Sequence, residues 1–248
     1  HRHRFVSSIK ISTAARTHLL AREKRVHWRH RRRRPHPVGG ASSLSPLYSS
    51  LPGGGRSGTM FSLISGFWKI FFAKVEVQVL ILGLDHAGKT TLLEQMKGLF
   101  NKQQGIPPER IPPTIGLNIG KMDVGTCRVI FWDLGGQVRM RSIWEKYYAE
   151  AHGMVFVIDS ADVGRMEEAK LAFDAVREHE ELRGIPVLLL ANKQDLPGAM
   201  AIEDIAMHFE IHNLPPRLVR LQPASCLTCE GIEDGVRWVV EESRTADR

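Results

Sequence analysis

From Lys74 onward the chain alternates between apolar runs and amphipathic stretches. KVEVQVLILGL (Lys74–Leu84) begins with period two and becomes continuously apolar, which predicts a buried strand. KTTLLEQMKGLF (Lys89–Phe100) predicts a helix. LNIGKMDV and CRVIFWDL predict a hairpin that turns near Gly125. The remaining pattern predicts strands at Met154–Ser160, Ile185–Lys193 and Leu218–Gln222, and helices at Met166–Leu182, Ile202–Phe209 and Ile232–Glu242. This order predicts an α/β domain with a mostly parallel, six-stranded sheet and flanking helices.

Charge separates an N-terminal segment from the rest of the chain. Residues 1–59 hold 13 of the 34 Lys and Arg residues but one of the 27 Asp and Glu residues, so the rest is mildly acidic. Sparse, aperiodic apolar residues predict that 1–59 is a disordered basic extension. We interpret it as extraneous to the natural protein. An organellar transit peptide and a basic arm for RNA or anionic lipid are the alternatives. We expect the remainder to be monomeric and to bind no nucleic acid.

Residues 60–74 form an abruptly apolar segment that is too short to span a bilayer. At helical spacing, Ser62, Ser65, Gly66, Lys69 and Ala73 share one narrow face. The segment therefore predicts an amphipathic helix that lies in a membrane interface. Its apolar side carries the predicted membrane contacts Phe61, Ile64, Phe67, Trp68, Phe71 and Phe72.

The first candidate site is GLDHAGKT, which follows a predicted strand and opens a predicted helix. It matches G-x-x-x-x-G-K-[ST], in which the glycines let backbone N–H groups point at phosphate oxygens. Lys89 would reach the β- and γ-phosphates, and the Thr90 hydroxyl would bind Mg²⁺. The helix N-terminus adds its positive dipole.

The second candidate site is NKQD (Asn192–Asp195), at the end of a strand. The Asp195 carboxylate can accept hydrogen bonds from guanine N1–H and the 2-amino group, whereas adenine lacks that donor pair. The weaker motif ASCLT (Ala224–Thr228) follows the last strand, where its backbone would contact guanine O6. Together with the phosphate loop, NKQD favours a guanine nucleotide.

The third candidate site is FWDLGGQ (Phe131–Gln137), also at a strand end. Asp133 can hold the hydration shell of Mg²⁺, Gly136 can donate its N–H to a γ-phosphate, and Gln137 can orient an attacking water. In PPTIG, Thr114 is a candidate second Mg²⁺ ligand that a γ-phosphate would order. The nearby prolines either stiffen this loop or form an SH3-type ligand.

Cysteine usage gives a weak signal. Cys226 and Cys229 have the spacing of a zinc knuckle or a redox pair, but no second Cys/His pair stands near them. We expect them, with Cys127, to be reduced structural thiols of a cytosolic protein.

The set GLDHAGKTT, PTIGLNIG, WDLGGQ, NKQD and SCL resembles the ADP-ribosylation factor (Arf) family of small GTPases, from Met60 to about Glu242. WDLGGQ followed by RSIWEKYY is particularly specific to that family. The GLNIG…DVG hairpin, FWDLGGQ, WEKYYAEAHG and a long switch-one loop are most similar to its Arf-related branch, which acts at the trans-Golgi. The resemblance implies a P-loop GTPase domain at residues 75–248, with GTP/GDP and Mg²⁺ as ligands.

The resemblance also implies roles for individual residues. Gln137 and Lys89 would be catalytic, Thr90 and Thr114 would bind Mg²⁺ directly, and Asp133 would hold it through water. The nucleotide-binding set is Gly83, Asp85, His86, Ala87, Gly88, Lys89, Thr90, Thr91, Thr114, Gly136, Asn192, Lys193, Asp195, Ser225 and Cys226. The hairpin would slide between the GDP and GTP states. Leu117, Trp132 and Tyr147 would form the effector surface exposed in the GTP state.

The resemblance implies a biological setting as well. The protein would be cytoplasmic and reversibly bound to Golgi membrane, or to a membrane receptor there, in its GTP state. It would act as a recruitment switch in vesicle trafficking and protein sorting, with an exchange factor and a GTPase-activating protein as regulators. Phe61 follows Met60, so the Gly required for N-myristoylation is absent. A P-loop ATPase or nucleotide kinase and a non-hydrolysing GTP-binding scaffold are the alternative functions.

Two departures from the family pattern affect these expectations. His86 stands where small or amide residues are usual, which suggests either a pH-sensitive contact or a solvent-facing side chain. Leu117 occupies a position that is often aromatic, so effectors cannot be inferred from better-known Arf proteins.

Overall fold

The structure, a computed structural model, describes residues 74–246. Within that range no helix is long and apolar enough to cross a membrane. The predicted extension at 1–59, nearly all of the predicted helix at 60–74 and its six membrane contacts lie outside the described residues.

A six-stranded sheet forms the centre of the domain. The strands are β1 (Val75–Gly83), β2 (Leu117–Val124), β3 (Cys127–Leu134), β4 (Gly153–Asp159), β5 (Val187–Asn192) and β6 (Val219–Pro223), in the order β2-β3-β1-β4-β5-β6. β2 pairs antiparallel with β3, and all other pairs are parallel. The predicted mostly parallel six-stranded sheet is confirmed.

Within residues 74–246, four α-helices flank the sheet. They are α1 (Lys89–Asn101), α2 (Met166–Arg177), α3 (Ile202–His208) and α4 (Ile232–Thr245). The single helix predicted over Met166–Leu182 is wrong, because α2 ends at Arg177 and a 3₁₀ turn follows at Glu180–Leu182. His179 has extended backbone angles between them, and its ring accepts a hydrogen bond from the Glu181 N–H. This local side-chain bond replaces a helical bond.

Alternation along β1 divides the core between the two faces of the sheet. Leu80 and Leu82 face the layer that contains α2 and α3, whereas Val79 and Ile81 face α1 and α4. Burial on both faces is the reason that β1 reads as a continuous apolar run. Since five strands are parallel, their carboxyl ends meet at one edge of the sheet, and the loops that follow them cluster there.

A thirteen-residue 3₁₀ stretch, Val138–Glu150, connects β3 to β4. Trp144 and Tyr148 are its buried anchors. Runs of 3₁₀ turns longer than about four residues are uncommon and often mark functional hinges. This stretch lies directly after the Gly135-Gly136-Gln137 segment.

Candidate functional site

The phosphate loop runs from the end of β1 to the start of α1. Gly83 and Gly88 have positive φ angles of 137° and 98°. A Cβ at Gly83 would lie 2.3 Å from the Val157 carbonyl oxygen, and one at Gly88 would lie 2.3 Å from Asn192 Nδ2. Glycine is therefore required at both ends, by backbone angle and by close approach.

Lys89 is buried at the base of this loop, with 5% of its surface exposed. Its Nζ donates to the Leu84 carbonyl at 2.6 Å. Burial lowers the pKa of Lys89 to about 8, against the charges of Asp133 and Asp85, which raise it. A desolvated ammonium of this kind interacts strongly with an incoming phosphate, because little water must be removed from it.

Three oxygen-bearing side chains from separate parts of the chain converge beside Lys89. Thr90 Oγ1 donates to Asp133 Oδ2 at 2.7 Å and lies 2.5 Å from Thr114 Oγ1. In the bond between the two threonine hydroxyls, either oxygen can be the donor. Asp133 Oδ1 is buried without a hydrogen-bond partner, and burial raises the pKa of this carboxyl.

This cradle fits Mg²⁺. Hydroxyl and carboxylate oxygens are the ligands that hard cations prefer, and a cation would compensate the unpaired Asp133 oxygen. The predicted metal residues Thr90, Thr114 and Asp133 are thus brought together. Thr114 brings the loop between α1 and β2, residues 102–116, which is the switch-one loop, against the phosphate loop.

A cleft of about 240 Å³ opens above these residues. The phosphate loop, the switch-one loop and the segment after β3 line it: Asp85, His86, Gly88, Lys89, Thr90, Thr91, Pro108, Ile111, Pro112, Pro113, Thr114, Gly136 and Gln137. Sequence reasoning treated the prolines only as stiffening residues or as a ligand motif, and missed that they wall the cleft.

Two side chains hold the peptide groups of Gly135-Gly136-Gln137. Trp144 Nε1 donates to the Gly135 carbonyl at 3.0 Å, and this peptide carries the Gly136 N–H. Arg141 Nε donates to the Gly136 carbonyl at 3.0 Å, and that peptide carries the Gln137 N–H. The orientation of both N–H groups is therefore set by the 3₁₀ stretch. The sequence contains both residues, but no motif pointed to these contacts.

The predicted base-binding residues lie at the ends of β5 and β6. Asn192 is 1% exposed, and its amide joins two loops: Nδ2 donates to the Ala87 carbonyl, and Oδ1 accepts from the Cys226 N–H, both at 2.8 Å. The guanine contact predicted for the backbone of Ala224–Thr228 stays a prediction, and within that segment the Cys226 N–H donates to Asn192. The Leu227 and Thr228 N–H groups donate to Ser225 Oγ.

Lys193 and Asp195 follow Asn192 at the rim. Lys193 has a positive φ of 67°, and its Nζ lies 2.5 Å from Asp159 Oδ2 at the end of β4. Asp195 is exposed, so its carboxylate is available to a ligand. Asp159 was missed by sequence reasoning, although its place at a strand end in VIDS is the signal that could have identified it.

The expected effector surface is only partly exposed. Trp132 is 8% exposed and packs against Tyr147, with ring centroids 5.4 Å apart. Leu117 and Tyr147 are half-buried against the core. The assignment of Trp132 to a surface that is exposed in the GTP state stays a prediction. The exposed apolar side chains in this region are Ile115, Ile119 and Val138.

Comparison with known proteins identifies the family. The model of the ADP-ribosylation factor family matches residues 63–243. This chain belongs to the Arf family. It is therefore a small GTPase, a GTP hydrolase that works as a GTP-regulated switch. The family predicted from the motifs is confirmed, and the ATPase and kinase alternatives fall away.

Individual Arf proteins support the same assignment. Human ADP-ribosylation factor-related protein 1 is 49% identical over 185 residues, covering 73% of this chain and 92% of that protein. ADP-ribosylation factor-like protein 3 of Saccharomyces cerevisiae is 39% identical over 184 residues, with the same shares covered. The solved Arl6 BBS3 small GTPase of Trypanosoma brucei, with bound GppNp, is 28% identical. It covers 70% of this chain and 100% of that chain, with a TM-score of 0.61. The resemblance to the Arf-related branch is confirmed.

Proposed function

We propose that this GTPase binds GTP·Mg²⁺ in the cleft, hydrolyses it slowly, and uses the two nucleotide states to control its recruitment to Golgi membrane during vesicle trafficking and protein sorting. The observation that carries the nucleotide part is the convergence of Thr90, Thr114 and Asp133 beside Lys89. Switch-one, the phosphate loop and the end of β3 meet at one point there, as a γ-phosphate sensor requires.

Each group in the cleft has a role in this proposal. Thr90 and Thr114 bind Mg²⁺ directly, and Asp133 holds it through water. Lys89 and the N–H groups of the loop bind the β- and γ-phosphates, and the Gly136 N–H contacts the γ-phosphate. Bound Mg²⁺ neutralises charge on the phosphate oxygens. If the loop that carries Thr114 opened after hydrolysis, the contact between Thr114 and Thr90 would be lost, so loss of the γ-phosphate would change the shape of this surface.

Base selection belongs to the NKQD segment. The exposed Asp195 carboxylate accepts from guanine N1–H and the 2-amino group, and adenine would leave it unpaired. Lys193 supports the base pocket while paired with Asp159. Asn192 acts indirectly, since its amide ties the phosphate loop to the Ser225-Cys226 loop.

Hydrolysis depends on Gln137, which orients the attacking water. In the structure, Arg139 Nε donates to Gln137 Oε1 at 3.0 Å. That oxygen is the one which would accept a hydrogen bond from water, so the Arg139 contact must be displaced for catalysis. Related GTPases without a supplied arginine turn over at about 10⁻⁴ s⁻¹, and an activator's arginine raises this by about 10⁵. An activating protein is thus a required partner.

Membrane recruitment belongs to the segment at 60–74. Its apolar residues Phe61, Ile64, Phe67, Trp68, Phe71 and Phe72 would enter the interface in the GTP state. The effector surface is the region around Leu117, Tyr147 and the exposed Ile115, Ile119 and Val138. An exchange factor would return the protein to its GTP form.

Two measurements test the nucleotide proposal. Chromatography of the nucleotide released from purified, denatured protein should yield guanine nucleotide, and adenine nucleotide would overturn base selection by Asp195. Gln137→Leu should accumulate the GTP form, because water is no longer oriented. Equal hydrolysis by this variant and the wild type, with an activating protein present, would contradict the role of Gln137.

A separate measurement tests recruitment. Full-length protein loaded with GTP should float with lipid vesicles more than GDP-loaded protein, and Trp68→Glu with Phe72→Glu should abolish the difference. A tagged chain starting at Met60 should show the same dependence at the Golgi. Cytosolic distribution in both nucleotide states would refute the membrane proposal.

A further inference from the structure

Four charged side chains connect the phosphate loop to the segment that carries Gln137. Glu168, on α2, accepts from Arg165 Nε at 2.9 Å and from Arg141 Nη2 at 2.5 Å. Arg165 Nη2 donates to Asp85 Oδ1 at 2.7 Å, and Arg141 Nε donates to the Gly136 carbonyl at 3.0 Å. We call Asp85, Arg165, Glu168 and Arg141 the ion-pair chain.

The order of charges makes the ion-pair chain a connected unit. Positive and negative groups alternate, and Glu168 links the two arginines. All four side chains are partly buried, with exposed fractions between 20% and 36%. The two hydrogen bonds from Arg165 and Arg141 hold the pKa of Glu168 below its usual range. Partly desolvated, charge-assisted bonds of this kind are stronger than isolated surface pairs.

Both ends of the ion-pair chain act on backbone that touches the nucleotide cleft. Arg165 also donates to the Asp85 carbonyl at 3.4 Å, so it holds both the side chain and the main chain of a phosphate-loop residue. Arg141 holds the peptide that carries the Gln137 N–H. Asp85, Gly136 and Gln137 line the cleft, whereas neither arginine is among its lining residues. The arginines are therefore placed to act through other residues.

We propose that Arg141, Glu168 and Arg165 are positioning residues for GTP hydrolysis. They hold the Gly136–Gln137 peptide in a fixed position relative to the phosphate loop. Trp144 fixes the preceding peptide from the core side, and the ion-pair chain fixes the next one from the α2 side. A displacement of about 1 Å at a reacting group can cost about 100-fold in rate, so this restraint matters for a water-orienting glutamine. The inference rests on the role proposed above for Gln137.

Glu168→Gln provides the test, because it removes the shared negative charge with almost no change of shape. The matched control is Glu233→Gln, which breaks the exposed Arg237–Glu233 pair on α4, far along the chain from the cleft residues. Full-length protein is loaded with GTP, and one turnover is followed at 25 °C without an activating protein. GDP release and the unfolding temperature of the GDP form are measured alongside.

We expect Glu168→Gln to slow the single turnover about 10-fold, part of the loss that a 1 Å misplacement produces. Arg165→Gln should also speed GDP release several-fold, since it frees Asp85. Glu233→Gln should match the wild type. A pair that only stabilises the fold would lower the unfolding temperature of Glu168→Gln and leave the turnover rate unchanged, and that result would overturn the proposal.

A double variant tests whether the residues work as one unit. If the ion-pair chain is connected, Arg141→Gln added to Glu168→Gln should slow turnover little beyond either single change, because residues of one unit are not additive. If the double variant is slowed by the product of the two single effects, the residues act independently, and that result would refute a connected ion-pair chain. Gln137→Leu, run in the same assay, separates the two proposals. If Gln137→Leu hydrolyses GTP at the wild-type rate, the proposed role of Gln137 is wrong. If Gln137→Leu is slow but Glu168→Gln is not, only the proposed role of the ion-pair chain is wrong.

Discussion

Replacing Gly136 by alanine should weaken the preference of the protein for GTP over GDP while nucleotide binding itself is kept. A Cβ at this position would lie 2.4 Å from the Asp85 nitrogen, 2.4 Å from the Leu84 carbonyl carbon and 2.5 Å from the Gly83 carbonyl oxygen. All three are backbone atoms of the phosphate loop, so no side chain can move aside. Ordinary contacts of carbon are about 3.5–4.0 Å, so the segment after β3 must retreat by about 1 Å.

The energetic consequence follows from that retreat. A donor 1 Å too far from its acceptor makes no hydrogen bond, and a bond to a charged group contributes about 1.5–3 kcal/mol. Gly136→Ala should therefore reduce the preference for GTP over GDP by about 10- to 150-fold, as each 1.4 kcal/mol is a factor of ten. GDP affinity should change little, because the proposed acceptor of the Gly136 N–H is the γ-phosphate, which GDP lacks.

Competition of GTP and GDP against a fluorescent guanine nucleotide measures this preference directly. Gly98→Ala is the matched control, since a Cβ there meets only the Gln103 carbonyl oxygen at 3.7 Å inside α1. Helix propensity predicts that this control gains up to about 1 kcal/mol of stability and keeps wild-type nucleotide preference. A wild-type GTP preference in Gly136→Ala would refute the close approach of Gly136 to the phosphate loop.

Two substitutions and one alkylation experiment test separate parts of the site. Asn192→Ala should lower the free energy of unfolding by about 2–5 kcal/mol, because the buried Ala87 carbonyl and Cys226 N–H both lose their partner. Urea denaturation measures this loss. A loss below about 1 kcal/mol would contradict the connection that the Asn192 amide makes between the two loops. Asp195→Asn should shift preference from guanosine to xanthosine triphosphate, because the amide offers one acceptor and one donor; unchanged guanine preference in the same competition assay would refute the assignment. Burial raises the pKa of the Cys226 thiol to about 12, so about 10⁻⁴ of it is thiolate at pH 8. Mass spectrometry should find Cys226 unalkylated by iodoacetamide in native protein, with the rate rising as pH approaches 12, and fast reaction at pH 8 would contradict its burial.

The local motifs were predictable because their chemistry resides in neighbouring residues. GLDHAGKT needs glycines at both ends of one turn and a helix after it, and the structure has β1, the loop and α1 in that order. The strands were predictable for a similar reason, since burial on both faces of a parallel sheet requires continuous apolar runs. Strand boundaries shifted by one or two residues where caps and turns compete with the ladder, and α4 runs three residues beyond the predicted Glu242.

Contacts between distant residues were not predictable in the same way. Asn192 meets Ala87 across 105 positions of sequence, and Arg165 meets Asp85 across 80. The sequence predicted that Asn192 contacts the base, but both polar atoms of its amide form hydrogen bonds with two loops. The sequence also predicted no role for Trp144 and Arg141. Their partners are backbone carbonyls, which every residue has, so no residue type indicates which side chain will donate to them.

The sequence alone was enough to predict the family, the phosphate loop, the residues proposed to bind magnesium, and the order of strands and helices. Each of these depends on residue types at short spacing or on hydrophobic period. The folded structure was needed to see that Thr90, Thr114 and Asp133 meet, that Trp132 is buried, and that an ion-pair chain connects the phosphate loop to the segment that carries Gln137. These contacts depend on which loops the folded sheet brings to one edge. The hydrogen bonds and ion pairs between those loops can form only once the loops lie side by side.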